Sequence, residues 1–576
     1  MSNQRATMVA DKPTKTMTGA EAVVQCLLAE RVETLFGYPG GAIMPVYDAF
    51  YDFRDTMHHV LCRHEQGAIH AAQGYARATG KVGVCLATSG PGAANLITGI
   101  ADAQIDSTPV VCITGQVASH LLGTDAFQET DVVGISMPVT KWNVQVTSAE
   151  EIPAALSKAF FIARSGRPGP VLVDITKDAQ FGKLEFAYQP CHLVRSYVPT
   201  PRPDMAQIQR AAELINQAER PYVLLGQGVI LAEAEDEFRT FVEKAGLPTA
   251  WTILGLSGLP TDHYLNVGML GMHGGYGPNL LTNECDVLIA VGMRFDDRVT
   301  GDVKRYATQA KVIHLEIDPA EIDKNIKADV PVLGDCKATL KLISERLQPR
   351  KHPEWLQRFK DCQTEEDREV VQGELYPGPE KQISMGEVIR WVSEKSKGEA
   401  IVVTDVGQHQ MVAQRYYRYA RWRSNITSGG LGTMGFALPA AMGAKIGVPD
   451  RQVIAVIGDG GFQMTIQELG TVFQSNIDVK ILLLNNEFLG MVRQWQELFF
   501  DKRYSFTEMV NPDFQTIARG YHIETEKVTR REDLEAAVER FINHDGSYLL
   551  EVLVGKENNV FPMVATGASV SEVRLK

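Results

Sequence analysis

The sequence predicts an α/β protein built of three doubly wound parallel-sheet domains. Two observations predict it: short apolar runs that do not alternate with polar residues, and two linker-like stretches that divide 576 residues into three similar lengths. A run that is apolar at every position has both faces covered, as a parallel strand between helix layers does; a half-exposed antiparallel strand alternates. Val82–Thr88 runs into Ser89-Gly90-Pro91-Gly92, and Val110–Thr114 into Gly115. Tyr222–Leu225 precedes Gly226-Gln227-Gly228, and Val287–Val291 precedes Gly292. Ile401–Thr404, Val453–Ile457 and Val479–Leu484 repeat the pattern toward the C-terminus. In such sheets ligands bind beyond the C-terminal strand ends, where these glycines and polar residues fall.

Pro190 to Asp204 carries four prolines and few core residues, and reads as a linker. Residues 348–382 are charged, contain Pro349, Pro353, Pro377 and Pro379, and read as a second linker with some helix. The expected domains are therefore 18–190, 205–347 and 383–562. Residues 1–17 are polar, lack the apolar core of a secretory signal, and are expected to be a flexible tail, as are residues 563–576.

Composition narrows the function classes. A net charge of −13 argues against nucleic acid, whose phosphates want a basic face. No stretch approaches the ~18 apolar residues of a membrane span. Eight cysteines without a C-x-x-C pair argue against a zinc site or a disulfide framework, and fit a reducing, cytoplasmic compartment, or an organelle interior in a eukaryote.

Gly458-Asp459-Gly460 stands at the end of one apolar run, and Asn485-Asn486 at the end of the next, with 24 residues between them. One βαβ unit brings Asp459 and Asn486 out side by side. A hard cation such as Mg²⁺ wants oxygen ligands, few of them from protein and the rest from phosphate and water; a carboxylate and an amide oxygen suit it. Glycines at 460 and 461 let backbone approach a diphosphate, and the following helix aims its amides there. Either half alone is an ordinary turn. Glu65, in Arg63-His64-Glu65-Gln66-Gly67-Ala68, follows a short strand and opens a helix, where it either serves chemistry or merely complements the helix dipole.

The Asp459–Asn486 pair at this spacing resembles the signature of thiamine-diphosphate enzymes. The stretch around Glu65 resembles their pyrimidine-domain motif, whose glutamate protonates the cofactor's aminopyrimidine and so activates it. From about Thr18 to Pro562 the chain resembles the catalytic subunit of the acetohydroxyacid synthase (acetolactate synthase) family. Gly37-Tyr38-Pro39-Gly40-Gly41, Gly123–Thr130, Gly271-Met272-His273-Gly274, Arg294–Gly301 and Gly490–Trp495 carry that likeness.

The resemblance implies a first domain that binds the pyrimidine, a central one associated with FAD, and a third that binds the diphosphate and Mg²⁺. It implies decarboxylation of pyruvate and transfer of the two-carbon unit to a second 2-keto acid. Pyruvate as acceptor gives 2-acetolactate and 2-oxobutyrate gives 2-aceto-2-hydroxybutyrate, toward valine, leucine and isoleucine. Gly407, Gln408 and His409 match the diphosphate loop; Gly432, Thr433 and Met434 match the segment that bends the cofactor; Gly460, Gly461, Gly490 and Met491 complete its contacts. Phe488 stands where many relatives have histidine, and would lend its backbone carbonyl to the metal beside Asp459 and Asn486.

Arg298 matches the residue that clamps the second acid's carboxylate, for which a guanidinium fork is suited; pairing with Asp296 or Asp297 is its other reading. Phe127, Gln128, Lys177, Met491, Val492 and Trp495 match the lining of the substrate pocket, and Trp495 would favour the extra methyl of 2-oxobutyrate. FAD contacts are implied at Gly228, Thr252, Ile253, Leu270, Gly271, Met272, His273, Gly292, Arg294, Asp296, Asp297, Glu316, Ile317, Asp335 and Cys336, with Arg167 from the first domain; Ser107 joins the cofactor contacts. In this family the flavin takes no redox part in the main reaction.

Glu65 and Asp459 fall in different domains, which in the family meet across a subunit interface. A homodimer or dimer of dimers is therefore expected, with a separate small regulatory subunit. Two rivals remain, an FAD-dependent pyruvate oxidase and a non-catalytic subunit that keeps the fold for binding or regulation; a third, an FAD-independent catabolic acetolactate synthase, is disfavoured by the Arg294–Gly301 motif. His58-His59 lie upstream of Glu65 and are expected at the surface.

Overall fold

Each apolar run singled out in the sequence contains a strand, and each strand lies in one of three six-stranded parallel sheets. A computed structural model describes residues 15–576. The first sheet contains β1 (Thr34–Gly37), β2 (His58–Leu61), β3 (Gly83–Ala87), β4 (Val110–Gln116), β5 (Trp142–Val146) and β6 (Val171–Thr176), in the order β2-β1-β3-β4-β6-β5. All positions of β3, β4 and β6 are buried, which is why they read as unbroken apolar runs.

The second sheet holds β7 (Pro221–Leu225), β8 (Thr249–Trp251), β9 (Asn266–Met269), β10 (Val287–Val291), β11 (Lys311–Glu316) and β12 (Val330–Leu333), ordered β9-β8-β7-β10-β11-β12. Counted within the domain this is 3-2-1-4-5-6, the dinucleotide-binding order, with its switch point between β7 and β10. The third sheet holds β13 (Ile401–Thr404), β14 (Asn425–Thr427), β15 (Val453–Gly458), β16 (Lys480–Asn485), β17 (Glu524–Val528) and β18 (Tyr548–Leu553). Its order, β14-β13-β15-β16-β18-β17, repeats that of the first sheet strand for strand. The first sheet anchors one compact unit; the second and third sheets belong to another.

Three expectations change. Residues 1–14 of the expected N-terminal tail lie outside the described residues, but Lys15–Thr18 is a strand, paired antiparallel with Lys183–Phe186. The C-terminal residues are folded rather than a tail: Met563–Val564 pairs with Val573–Arg574, and the arm is laced to the central domain. There the Val564 amide donates to the Met272 carbonyl (2.8 Å), the Asp302 amide donates to the Ala568 carbonyl (2.9 Å), and Val570 is buried. Small polar residues hid this segment, whose few apolar side chains insert between them. His59, expected at the surface, turns inward and hydrogen-bonds the Tyr47 hydroxyl at 2.9 Å.

The stretch 348–382 is largely helical. Helix Pro353–Glu366 packs on the second sheet, with Trp355 Nε1 donating to the Pro221 carbonyl (2.9 Å) and Phe359 against Tyr222. At its end, just before a π-helical turn at Asp367–Val371, Glu366 meets the buried Arg415 of the third domain at 2.5 Å and accepts from the Tyr276 amide. Arg415 also donates to the His273 carbonyl (3.3 Å). All eight cysteines are free thiols, seven of them buried. Among the described residues no helix is long and apolar enough to cross a membrane.

Removing one partner of a buried ion pair leaves an uncompensated charge, at a cost of about 3–5 kcal/mol. Glu366→Gln is therefore expected to bring thermal unfolding to clearly lower temperature. Glu284→Gln, which breaks an exposed pair with Arg358, is expected to shift it little, since such pairs contribute about 0–1 kcal/mol.

Candidate active site

In the third domain the switch point lies between β13 and β15, and the conspicuous motifs gather there. Gly407-Gln408-His409 leaves β13 and Gly458-Asp459 ends β15, while Asn485-Asn486 ends the neighbouring β16. Gly458 aligns with Leu484, so Asp459 and Asn486 emerge from adjacent strand ends. The Asp459 carboxylate is 1% exposed, and no salt bridge reaches it among the described residues. Burial pushes its pKa up to about 6, opposed by the Asn511 amide, which donates to Oδ2 at 2.7 Å. The same amide donates to Asn485 Oδ1 (3.0 Å), and Gln463 holds the Asn511 oxygen (2.9 Å).

Asn486 is held on both sides: its Oδ1 accepts from the Phe488 amide (3.2 Å) and its Nδ2 donates to Gln408 (3.4 Å). Gln408 in turn donates to Gln494 and to the Asn558 carbonyl. Phe488 is buried, with the Arg493 guanidinium over its ring. The His409 imidazole fills the gap between Gly407 and Gly458, where a Cβ on either would come within 2.8 Å of it. Burial drives its pKa down to about 3, and its Nε2 has no hydrogen-bond partner.

Glycine is required by close approach here. A Cβ on Gly461 would fall 1.6 Å from Asp405 Oδ2, whose other oxygen caps the amides of Phe436 and Ala437. A Cβ on Gly490 would strike Gln408 and Asn486. Met434, after Gly432 and Thr433, lies beside Gly460: its Cε is 3.6 Å from where a Gly460 Cβ would stand. Met491, Val492 and Trp495 follow on helix Gly490–Phe499, with the Trp495 ring tilted against Phe499, centroids 4.8 Å apart.

The central domain gathers a second set at its own switch point. Gly228 follows β7 and Gly292 follows β10; the Gly228 amide donates to the Gly292 carbonyl (2.8 Å), and Cys336 Sγ lies against Gly292. Asp335 caps helix Cys336–Ser344. Glu316, at the end of β11, accepts from the Ile317 and Asp318 amides, and burial pushes its pKa up to about 7. Arg167 pairs with Asp318 and Glu321. Thr252 is buried at the end of β8, donating to the Leu225 carbonyl, and the Ile253 carbonyl accepts from Asn425.

Leu270 to His273 follow β9. The Gly271 amide donates to Asn279, the Met272 amide to the Arg298 carbonyl, and His273 Nδ1 is buried without a partner. Burial, with the charges of Arg415 and Arg298, holds His273 down at about 4. Asp296 caps the turn Asp297–Thr300 and lies 3.7 Å from Arg294. Arg298 stands 3.7 Å from Asp297, donates to Met272 Sδ, and lines a pocket with Val564, Thr566 and Gly567 of the C-terminal arm. The pair with its sequence neighbour Asp297 is exposed and, at 3.7 Å, loose.

In the first unit Glu65 opens helix Glu65–Thr79, is 8% exposed, and accepts from Asn95 Nδ2 at 2.9 Å. The loop Gly123–Thr130 carries Phe127, 88% exposed, and Gln128. Asp125 and Gln128 both have positive φ, and Glu129 holds the loop by accepting the Gly123 and Ala126 amides. A Cβ on Gly90 would meet the Gln128 backbone, so the loop lies at the end of β3. Lys177 follows β6 directly. Ser107 precedes β4, at the opposite edge of the sheet from these strand ends.

Asn95, Glu129, Gln494 and Asn511 were not foreseen. Asn95 and Asn511 act through contacts between distant segments and lie in no motif, whereas Glu129 and Gln494 lie inside the Gly123–Thr130 and Gly490–Trp495 motifs but were assigned no role.

Comparison with known families fixes the class. Residues 17–135 match the thiamine pyrophosphate enzyme N-terminal TPP binding domain, 208–343 the central domain, and 405–552 the C-terminal TPP binding domain. These three matches define a thiamine-diphosphate enzyme. The chain is 48% identical to the acetolactate synthase isozyme 2 large subunit of Escherichia coli over 560 residues, 97% of this chain and 99% of that one. It is 46% identical to the acetolactate synthase large subunit of Corynebacterium glutamicum (97% and 90%), and 42% identical to the probable large subunit of Methanocaldococcus jannaschii (97% and 95%). The chain belongs to the acetolactate synthase large-subunit family.

Forced overpacking costs about 1–3 kcal/mol or more. Gly461→Ala is expected to lower thermal stability and abolish thiamine-diphosphate binding, read by fluorescence titration. Gly373→Ala, with nothing within 4 Å of the added carbon, is expected to be neutral or slightly stabilising.

Proposed function

We propose that this chain is the catalytic subunit of an acetolactate synthase of branched-chain amino-acid biosynthesis, joining the two-carbon unit of pyruvate to a second 2-keto acid. The observation that carries it is the near-full-length likeness to acetolactate synthase large subunits, which spans all three domains.

The residues fit a Mg²⁺-thiamine-diphosphate complex. Asp459 is a buried carboxylate lacking a cationic partner, the orphan that a divalent ion satisfies, with Asn486 Oδ1 and the Phe488 carbonyl as further oxygen donors. Gly460, Gly461 and Gly490 leave the backbone open to a diphosphate, and the partnerless His409 Nε2 offers it a polar contact. Bound thiamine diphosphate supplies the nucleophilic carbon that makes decarboxylation of a 2-keto acid possible.

The chain's own groups do the rest. With the cofactor bound, Glu65 would serve as the proton donor to its pyrimidine ring, Met434 would pack against it, and Arg298 would offer the acceptor's carboxylate a bidentate fork. Trp495 is proposed to wall the acceptor pocket, and Phe127, Gln128 and Lys177 are proposed as substrate-channel residues. FAD is proposed at the central switch point, supported by the strand order, the Gly228–Gly292 approach and the buried Glu316. A small regulatory subunit is supported by the relatives' designation as large subunits, and a homodimer or dimer of dimers is the proposed assembly.

The test is product identification: the purified protein with pyruvate, with and without 2-oxobutyrate, plus thiamine diphosphate, Mg²⁺ and FAD. Acetolactate and 2-aceto-2-hydroxybutyrate are expected from a yellow protein; oxygen uptake with acetyl phosphate would instead make it a pyruvate oxidase. Glu65→Gln is expected to lower kcat about 10²–10⁴-fold, the range of lost acid–base catalysis, with unchanged melting. Trp495→Leu is expected to reduce the preference for 2-oxobutyrate by roughly 10-fold, as one methylene contact allows.

A further inference from the structure

We propose that Asn95 is a positioning residue for Glu65 and fixes which of its two carboxyl oxygens bears the proton. The inference rests on the reading of Glu65 as the acid that meets the pyrimidine ring. Asn95 Nδ2 donates to Glu65 Oε2 at 2.9 Å, the one hydrogen bond to this carboxyl among the described residues. An amide N–H needs an acceptor lone pair, and in a carboxylic acid the carbonyl oxygen accepts better than the hydroxyl oxygen. Oε2 is thereby held as the carbonyl oxygen, and Oε1 is left to carry the proton.

The other oxygen is shaped by a different residue of the same segment. A Cβ on Gly92 would stand 2.8 Å from Thr88 Cγ2 and 3.1 Å from Oε1, so glycine here leaves room beside that oxygen for a ring nitrogen. Both contacts come from Pro91–Asn95, which leaves the end of β3 at the switch point of the first sheet. One short segment thus holds one oxygen and clears the other. A carboxyl free to rotate would spend part of its time with the wrong oxygen toward the ring. Asn95 removes that freedom before the cofactor arrives, as a second layer of hydrogen bonds does for metal-ligating side chains.

The experiment uses the full-length protein loaded with thiamine diphosphate and Mg²⁺, without pyruvate. The exchange of the cofactor's reactive C–H proton for deuterium is followed by acid quench and NMR, beside the cofactor dissociation constant and the melting temperature. Asn95→Ala is expected to slow exchange roughly 10- to 100-fold, the usual effect of losing an orienting partner, with melting unchanged. Asn95→Asp, which turns a donor into a second carboxylate, is expected to slow it at least as much, and Asn95→Gln, which keeps the amide, to retain more of the rate than Asn95→Ala. Gly92→Ala leaves Asn95 in place but crowds Oε1, and is expected both to slow exchange and to weaken cofactor binding. Wild-type exchange in Asn95→Ala and Asn95→Asp, beside an inactive Glu65→Gln, overturns the proposal. So does a loss in the Asn95 variants that tracks falling melting temperature while Gly92→Ala behaves as wild type. Wild-type exchange in Glu65→Gln overturns the reading of Glu65 instead.

Discussion

A carboxylate buried at the end of a parallel strand, with no cationic side chain paired to it among the described residues, is the constraint around which the third domain is organised. Asp459 is nearly inaccessible and pays desolvation that the Asn511 amide offsets only in part. A lone buried charge is expensive, and proteins retain one where an ion or ligand completes it. The neighbours fit that purpose: Asn486 is pinned by Gln408 and the Phe488 amide, and Gly461 approaches Asp405 more closely than any side chain would allow. Asp405, buried and raised to about 6 by that burial, accepts with one oxygen the Phe436 and Ala437 amides at the start of helix Ala437–Gly447, and so ties that helix to the end of β13.

The same architectural rule places every other cluster. Parallel sheets present strand ends and helix starts along one edge, and the edge opens where the strand order reverses. The first and third sheets share one order and both carry their glycine-rich loops at that reversal. The central sheet has the dinucleotide-binding order and brings Gly228, Gly292 and Cys336 together at its own reversal. Glu366 and Arg415, buried and paired, tie the segment bearing His273 to the helix that begins at Gln408, so the two clusters of this unit share a rigid support.

Much of this was legible in the sequence because it depends on local patterns. A wholly apolar run implies a covered strand, and two such runs joined by a helix put their ends side by side, so Asp459 and Asn486 could be paired without a structure. Asn511 could not: it reaches Asp459 from a loop 52 residues onward, and nothing in Asn-Pro-Asp marks it. Asn95 was hidden for the same reason, since it reaches Glu65 across 30 residues of chain and lies in no motif. The C-terminal arm misled because its polar, glycine-containing residues look like a tail, while Val564 and Val570 reveal their burial only against the central domain. His59 was misplaced because a strand two residues from solvent alternates its faces, and one face holds Tyr47.

The central claim is that Asp459 is a metal ligand without which the diphosphate is not held. The direct measurement is calorimetric titration of thiamine diphosphate into the apoprotein, with Mg²⁺ and with chelator, for wild type and Asp459→Ala. Saturable binding only in wild type with Mg²⁺ is the predicted result. Binding of equal affinity in chelator, or in a folded Asp459→Ala protein, would contradict it.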